Sequence, residues 1–165
     1  MKLKVPIVGF GGKITQLIDV ELLNKTMKLS PTHSFVFVGQ ILDKKVYDKI
    51  EKADNFYYLG DKHYDEYPNY VKNFDICIVP YVVSKEKKSG ANSIKVYEYL
   101  STGKKVVGTL SNGLEDLEEH LYIAKDEKEF ALAIGQTINN KKLINLDIHS
   151  WSTKVDEFIK VLDEY

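Results

Sequence analysis

Gly90-Ala-Asn-Ser-Ile-Lys-Val-Tyr-Glu-Tyr-Leu-Ser-Thr-Gly-Lys-Lys-Val-Val107 holds a helix and the start of a strand. Asn92 and Ser93 are good N-caps and Gly103 is a good terminator, which leaves about ten residues of helix between them. Val106-Val107 then opens an apolar run, Lys104–Thr109, that reads as a strand. Before it, Asp75-Ile-Cys-Ile-Val-Pro-Tyr81 is the clearest strand of the chain, joined to the helix by the polar loop 84–90. Strand, loop, helix and strand make a unit that builds parallel sheets. Within it, Lys95 is out of place, because a cation in the first helical turn opposes the positive end of the macrodipole. An anion held by free backbone N–H groups and by the lysine would account for it. So would a surface pair with Glu98, which lies three residues on and on the same face. Both readings stand at this point.

The alternation extends in both directions. Strands are expected at Val5–Gly9, Ser34–Gly39 and Asn55–Gly60 before the unit and at Leu121–Ala124 after it. Helices are expected at Asp19–Leu29, Asp43–Ala53 and His63–Phe74, with Pro68 tolerated in the first turn of the last. After the unit come a short acidic helix from Asn112, an amphipathic helix at Asp126–Ile138, and a final helix from about Trp151 to Leu162. Strands that are apolar throughout and alternate with helices belong to a parallel sheet covered on both faces. The chain therefore reads as one α/β domain, 1–165: Rossmann-like, doubly wound, with a mainly parallel six-stranded sheet and no internal repeat or linker. In such folds ligands bind beyond the carboxyl ends of the strands. The glycine-rich segment after the first strand and the junction before Lys95 both fall there, and could face one crevice.

Composition narrows the chemistry. The chain has 165 residues and a formal net charge of −1, which gives no reason to expect a nucleic-acid partner. Its one cysteine, Cys77, sits in an apolar strand; it excludes a disulfide framework, favours a cytoplasmic location and reads as inert core. The opening Met-Lys-Leu-Lys-Val-Pro-Ile-Val-Gly-Phe has too short an apolar run for a signal peptide, and no run reaches the length of a membrane span. Any membrane contact is expected to be peripheral. His33, His63, His120 and His149 are scattered without metal-ligand spacing. No Gly-x-Ser-x-Gly elbow supplies a nucleophile.

Gly9-Phe-Gly-Gly-Lys13 fails both phosphate fingerprints. The third glycine of a dinucleotide turn would fall at position 14, which is Ile14, and no Gly-Lys-Ser/Thr follows. What remains is either a plain strand–helix connection or a turn whose backbone approaches an anion, with Lys13 beside it. The tyrosines 64, 67 and 70 recur at helical spacing and read as packing.

Taken together, Val8-Gly-Phe-Gly-Gly-Lys13, Phe35-Val-Phe-Val-Gly39, Asn55-Phe-Tyr-Tyr-Leu-Gly60, Phe74-Asp-Ile-Cys-Ile-Val-Pro-Tyr81 and above all Asn92–Val107 resemble one family. It is the C-terminal, donor-binding domain of GT-B glycosyltransferases of group 1 (family 4), especially bacterial enzymes of surface-polysaccharide synthesis such as the teichuronic-acid type. The resemblance implies a nucleoside-diphosphate-sugar donor and retaining transfer with no bound metal or other cofactor. It implies that Glu98 holds the ribose hydroxyls. It assigns the diphosphate to Asn92, Ser93, Ile94 and Lys95 with Gly11, Gly12 and Lys13, and the base to Leu59 and Gly60. It names no catalytic residue. Gly90 stands where many relatives carry a glutamate, and Ser93 and Lys105 stand where prolines are common. The family has two Rossmann-like domains, so the resemblance also implies an N-terminal acceptor domain, in cis or in trans, and a full enzyme at the inner face of the membrane. Without that domain the chain is expected to bind nucleotide and transfer sugar poorly or not at all. A non-catalytic interaction module and a fragment of a nucleotide-sugar epimerase are the alternatives.

Overall fold

The computed structural model describes residues 3, 5–83, 94–111 and 114–136, with scattered residues between 142 and 160. Asn92, Ser93, the loop 84–90 and much of the expected final helix lie outside the described residues. Within them strands and helices alternate as β1 (Ile7–Gly11), α1 (Val20–Leu29), β2 (Ser34–Val38), α2 (Lys44–Lys49), β3 (Phe56–Tyr58), α3 (Tyr67–Lys72), β4 (Ile76–Val79), α4 (Ile94–Ser101) and β5 (Lys105–Thr109). One turn of 3-10 helix (Leu114–Leu117), β6 (Tyr122–Ala124) and α5 (Glu127–Gly135) follow. Every strand pairing is parallel, and the order across the sheet is β3-β2-β1-β4-β5-β6. This is the Rossmann-like doubly wound arrangement, whose strand order reverses between β1 and β4.

Burial explains the strands. All five residues of β2 and all four of β4 are buried, as a parallel strand covered on both faces requires. Right-handed crossovers put α1 and α2 on one face and α3 and α4 on the other, and α5 returns to pack against α1. Aspartates fix the helix starts. Asp19 accepts from the Leu22 N–H at 2.9 Å, Asp43 from the Val46 N–H at 3.1 Å, and Asp126 from the Lys128 and Glu129 N–H groups at 2.9 and 2.8 Å. The Glu129 carboxylate in turn accepts from the N–H of Lys125, the residue before the cap, at 2.9 Å. Pro68 does sit in the first turn of α3.

The first strand departs from the expectation. It runs to Gly11, so Gly9 and Gly11 are strand residues and only Gly12, at φ 137°, turns the chain. A Cβ at Gly9 would collide with the Phe74 ring, and one at Gly11 with Tyr67. These two glycines make room for aromatics arriving from the α3 side; they are not a phosphate loop in themselves. Helices α2 and α3 are also shorter than their apolar patterns, because residues at the ends of those patterns pack from the connecting segments.

Candidate functional site

The carboxyl ends of β1 and β4, on either side of the strand-order reversal, border a hollow of about 430 Å³. Gly11, Gly12, Lys13, Thr15 and Leu17 line it from the β1 side, Tyr81 from the β4 side, and Ile94, Lys95 and Glu98 from the start of α4. Tyr64 and Tyr67, at the start of α3, close the remaining side. Two segments far apart in sequence therefore converge on one crevice.

Lys95 is the unusual group. Its side chain is half-buried, with Nζ 4.4 Å from the centroid of Phe10 and 5.2 Å from that of Tyr81. A Cβ at Gly12 would fall 2.5 Å from that nitrogen, so the ammonium lies directly against the turn. Among the described residues it makes neither a hydrogen bond nor an ion pair, and the Lys95–Glu98 surface pair is not formed. Two aromatic faces compensate part of its lost hydration. Burial nevertheless lowers its pKa from the ordinary 10.5 to about 8, although Glu98 acts in the opposite direction. An unpaired, desolvated cation at the N-terminus of a helix is a place where an anion gains from both charges.

The turn contributes less backbone than its glycines suggest. The Gly11 N–H donates to the Tyr99 hydroxyl at 2.7 Å and the Gly12 N–H to the Val38 carbonyl at 2.8 Å. The N–H groups of Lys13 and Thr15 make no such bond among the described residues, and the Lys13 side chain is exposed. Lys13 thus offers both donors, while Gly12 offers room.

Glu98 is half-buried and lines a second hollow, of about 550 Å³, between α3 and α4. Tyr64 and Tyr67 also line both, and Pro68, Val71 and Thr102 continue the second wall. The carboxylate therefore stands at the join of the two hollows, the first holding Lys13 and Lys95 and the second holding Lys72 and Lys104. Gly60 lies on the same sheet edge, its carbonyl accepting the Gly39 N–H at 2.9 Å. The Leu59 side chain lines a separate hollow with Val36, Tyr70 and Phe74. Of the expected residues the structure brings together Gly11, Gly12, Lys13, Ile94, Lys95 and Glu98, while Asn92 and Ser93 lie outside the described residues.

Thr15, Tyr64, Tyr67 and Tyr81 were not expected here. The tyrosine stripe divides: Tyr64 is 76% exposed over the site, Tyr67 lines it, and Tyr70 packs elsewhere. One signal was available, since residues that open a helix after a parallel strand stand on the ligand edge. Cys77 is fully buried, and burial pushes its thiol up to about 12, which leaves it inert.

Comparison with known proteins bears on the family and the fold. The family model described as "Glycosyl transferases group 1" matches residues 5–140. TuaH of Bacillus subtilis (strain 168), named for glycosyl transfer in teichuronic acid biosynthesis, is 28% identical over 105 residues, which are 62% of this chain and 26% of that protein. The crystal structure of AviGT4, a glycosyltransferase involved in avilamycin A biosynthesis, matches with a TM-score of 0.72 at 12% identity, over 99% of this chain and 53% of its own. A Staphylococcus aureus TarM variant, solved with UDP among its ligands, matches at 0.68 and 14%, over 96% and 35%. At these identities the two structures show the fold. The chain spans about half of AviGT4 and about a third of TarM. No helix among the described residues is long and apolar enough to cross a membrane.

Proposed function

The chain belongs to the group 1 glycosyl transferases, and we propose that it is the part of such an enzyme that holds a nucleoside-diphosphate-sugar donor. The observation that carries the reading is the Lys95 ammonium, which lies against Gly12 in the crevice at the strand-order reversal and makes no hydrogen bond or ion pair among the described residues. The diphosphate takes Lys95, the Lys13 side chain and N–H, the start of α4 at Ile94, and Asn92 and Ser93, which precede it in the sequence. The ribose hydroxyls take the Glu98 carboxylate at the join of the two hollows. The base lies beyond it, against the loop that runs from Leu59-Gly60 to Tyr64 and Tyr67.

In transfer, negative charge grows on the departing diphosphate as the sugar leaves. Fixed cations in a partly dry site stabilise that charge more than water can. Lys95 is already desolvated before the donor arrives, so little reorganisation is needed. We infer retaining transfer without a resident metal, onto a glycan or surface-polysaccharide acceptor supplied by a further domain, in cis or in trans. The chain alone then binds donor and transfers little. Calorimetric titration with UDP, GDP and ADP tests the reading. Saturable binding of one of them is expected; no heat from any of the three would overturn it.

A further inference from the structure

Strands β1 and β4 are ladder partners only at Val8–Ile76 and Gly9–Cys77, whereas β1 stays paired with β2 as far as Gly11–Val38. Past Gly9, then, the sheet forks beneath the crevice. Tyr99 of α4 fills the fork and is 0% exposed. Its hydroxyl accepts the Gly11 N–H at 2.7 Å and donates to the Gly11 carbonyl at 3.0 Å, as a further residue of β4 would otherwise do. At the other end of the same ladder Asp75 plays a similar part, accepting the Ile7 N–H at 2.7 Å. Asp75, however, immediately precedes β4, whereas Tyr99 arrives from the helix that carries Lys95 one turn earlier and Glu98 beside it. Tyr67 approaches the fork from α3. Its hydroxyl lies against Gly11 and near Tyr99 without a hydrogen bond of good geometry.

We infer that Tyr99 is a positioning residue: its hydroxyl locks α4, with Lys95 and Glu98, to the β1 turn that carries Gly12 and Lys13. A ligand that spans the two segments then finds both already placed, and the ordering cost falls on folding instead of binding. The consequence for ligands rests on the donor-binding reading; the lock itself does not.

Tyr99→Phe removes the hydroxyl alone. The first readout needs no ligand: the Lys95 ammonium is titrated by NMR, with Lys13 and Glu98 as the charged groups lining its hollow. In the unaltered chain, burial is expected to hold its pKa down at about 8. In Tyr99→Phe it is expected to move toward the ordinary 10.5 as α4 loosens and water reaches the amine. Phe130→Leu, in α5, serves as a control that lowers Tm and is expected to leave Lys95 near 8. The second readout sets UDP, GDP and ADP against uridine, guanosine and adenosine. The diphosphate that binds should lose at least about tenfold more affinity than its nucleoside, which touches α4 without bridging to the turn.

A lower Tm with Lys95 titration and affinity ratio both unchanged would overturn the inference and leave Tyr99 as sheet repair alone. If no diphosphate binds the unaltered chain, the donor reading fails and the Lys95 titration still decides the lock. Should Tyr99→Phe not fold, hydrogen exchange on the unaltered chain decides. The Gly11 amide is expected to exchange as slowly as that of Gly9; exchange as fast as that of Lys13 would overturn the lock.

Discussion

Two lysines at opposite edges of the sheet show how a cation that the fold satisfies differs from one that the described residues leave without an acceptor. Lys105 begins β5 at the amino edge, and Lys95 lies in the first turn of α4 at the carboxyl edge. Both are half-buried, and burial lowers both pKa values. Lys105 is satisfied. Its ammonium donates to the Gln136 carbonyl at 2.9 Å and the Ile134 carbonyl at 3.5 Å, at the negative end of the α5 dipole. Lys95 has aromatic faces and, among the described residues, no acceptor, at the positive end of its own helix. The first lysine completes the fold. Around the second, the described residues supply no hydrogen-bonding or ion-pairing partner, and the proposed diphosphate would supply one.

Swapping each lysine for methionine separates the roles. Lys95→Met is expected to cost the nucleoside diphosphate roughly 1.5–3 kcal/mol, about ten- to a hundredfold in affinity, and to cost the monophosphate less. Lys105→Met should leave both titrations unchanged; equal losses for the two variants would erase the distinction. Glu98→Ala should weaken the ribonucleotide by a similar 1.5–3 kcal/mol but barely change the 2′,3′-dideoxynucleotide, which calorimetry with the pair would show.

Stability should reverse the ranking. Lys105→Met leaves two α5 carbonyls without their donor and should cost about 0.5–1.5 kcal/mol in denaturant unfolding. Lys95→Met removes a cation that has no partner among the described residues and is expected to hold or raise Tm at neutral pH. The pH dependence follows the same difference. Folding lowers the Lys95 pKa, so between about 8 and 10.5 the unfolded chain binds more protons, and Lys95 adds stability as pH rises through that window. Diphosphate affinity should move the other way, weakening as the ammonium is lost above about 8. The smallest effect belongs to Tyr67→Phe. It removes a buried hydroxyl that makes no hydrogen bond, and should stay within about 0.5 kcal/mol of the unaltered chain.

Much of the fold is legible because parallel strands are apolar on both faces: Phe35–Val38 and Ile76–Val79 admit no other reading once helices separate them. Helix starts were local and therefore readable: the expected helices open on Asp19, Asp43 and Asp126, the residues that cap them. The end of β1 was not. Whether Gly9 and Gly11 turn the chain or clear space for a ring depends on Phe74 and Tyr67, which only the fold brings near. The site was half legible. Lys95 was visible as a charge that contradicts its helix, and Glu98 by its spacing from it. Tyr99 was invisible, because its partner Gly11 lies 88 residues away and an apolar helix face explains a tyrosine equally well.

The most direct test follows the Lys95 ammonium itself by NMR, with and without a bound nucleoside diphosphate. Free, it should titrate near 8, and with the diphosphate in place its pKa should rise, as an adjacent anion requires. The same pKa in both states, with the nucleotide demonstrably bound, would place the diphosphate elsewhere and contradict the account.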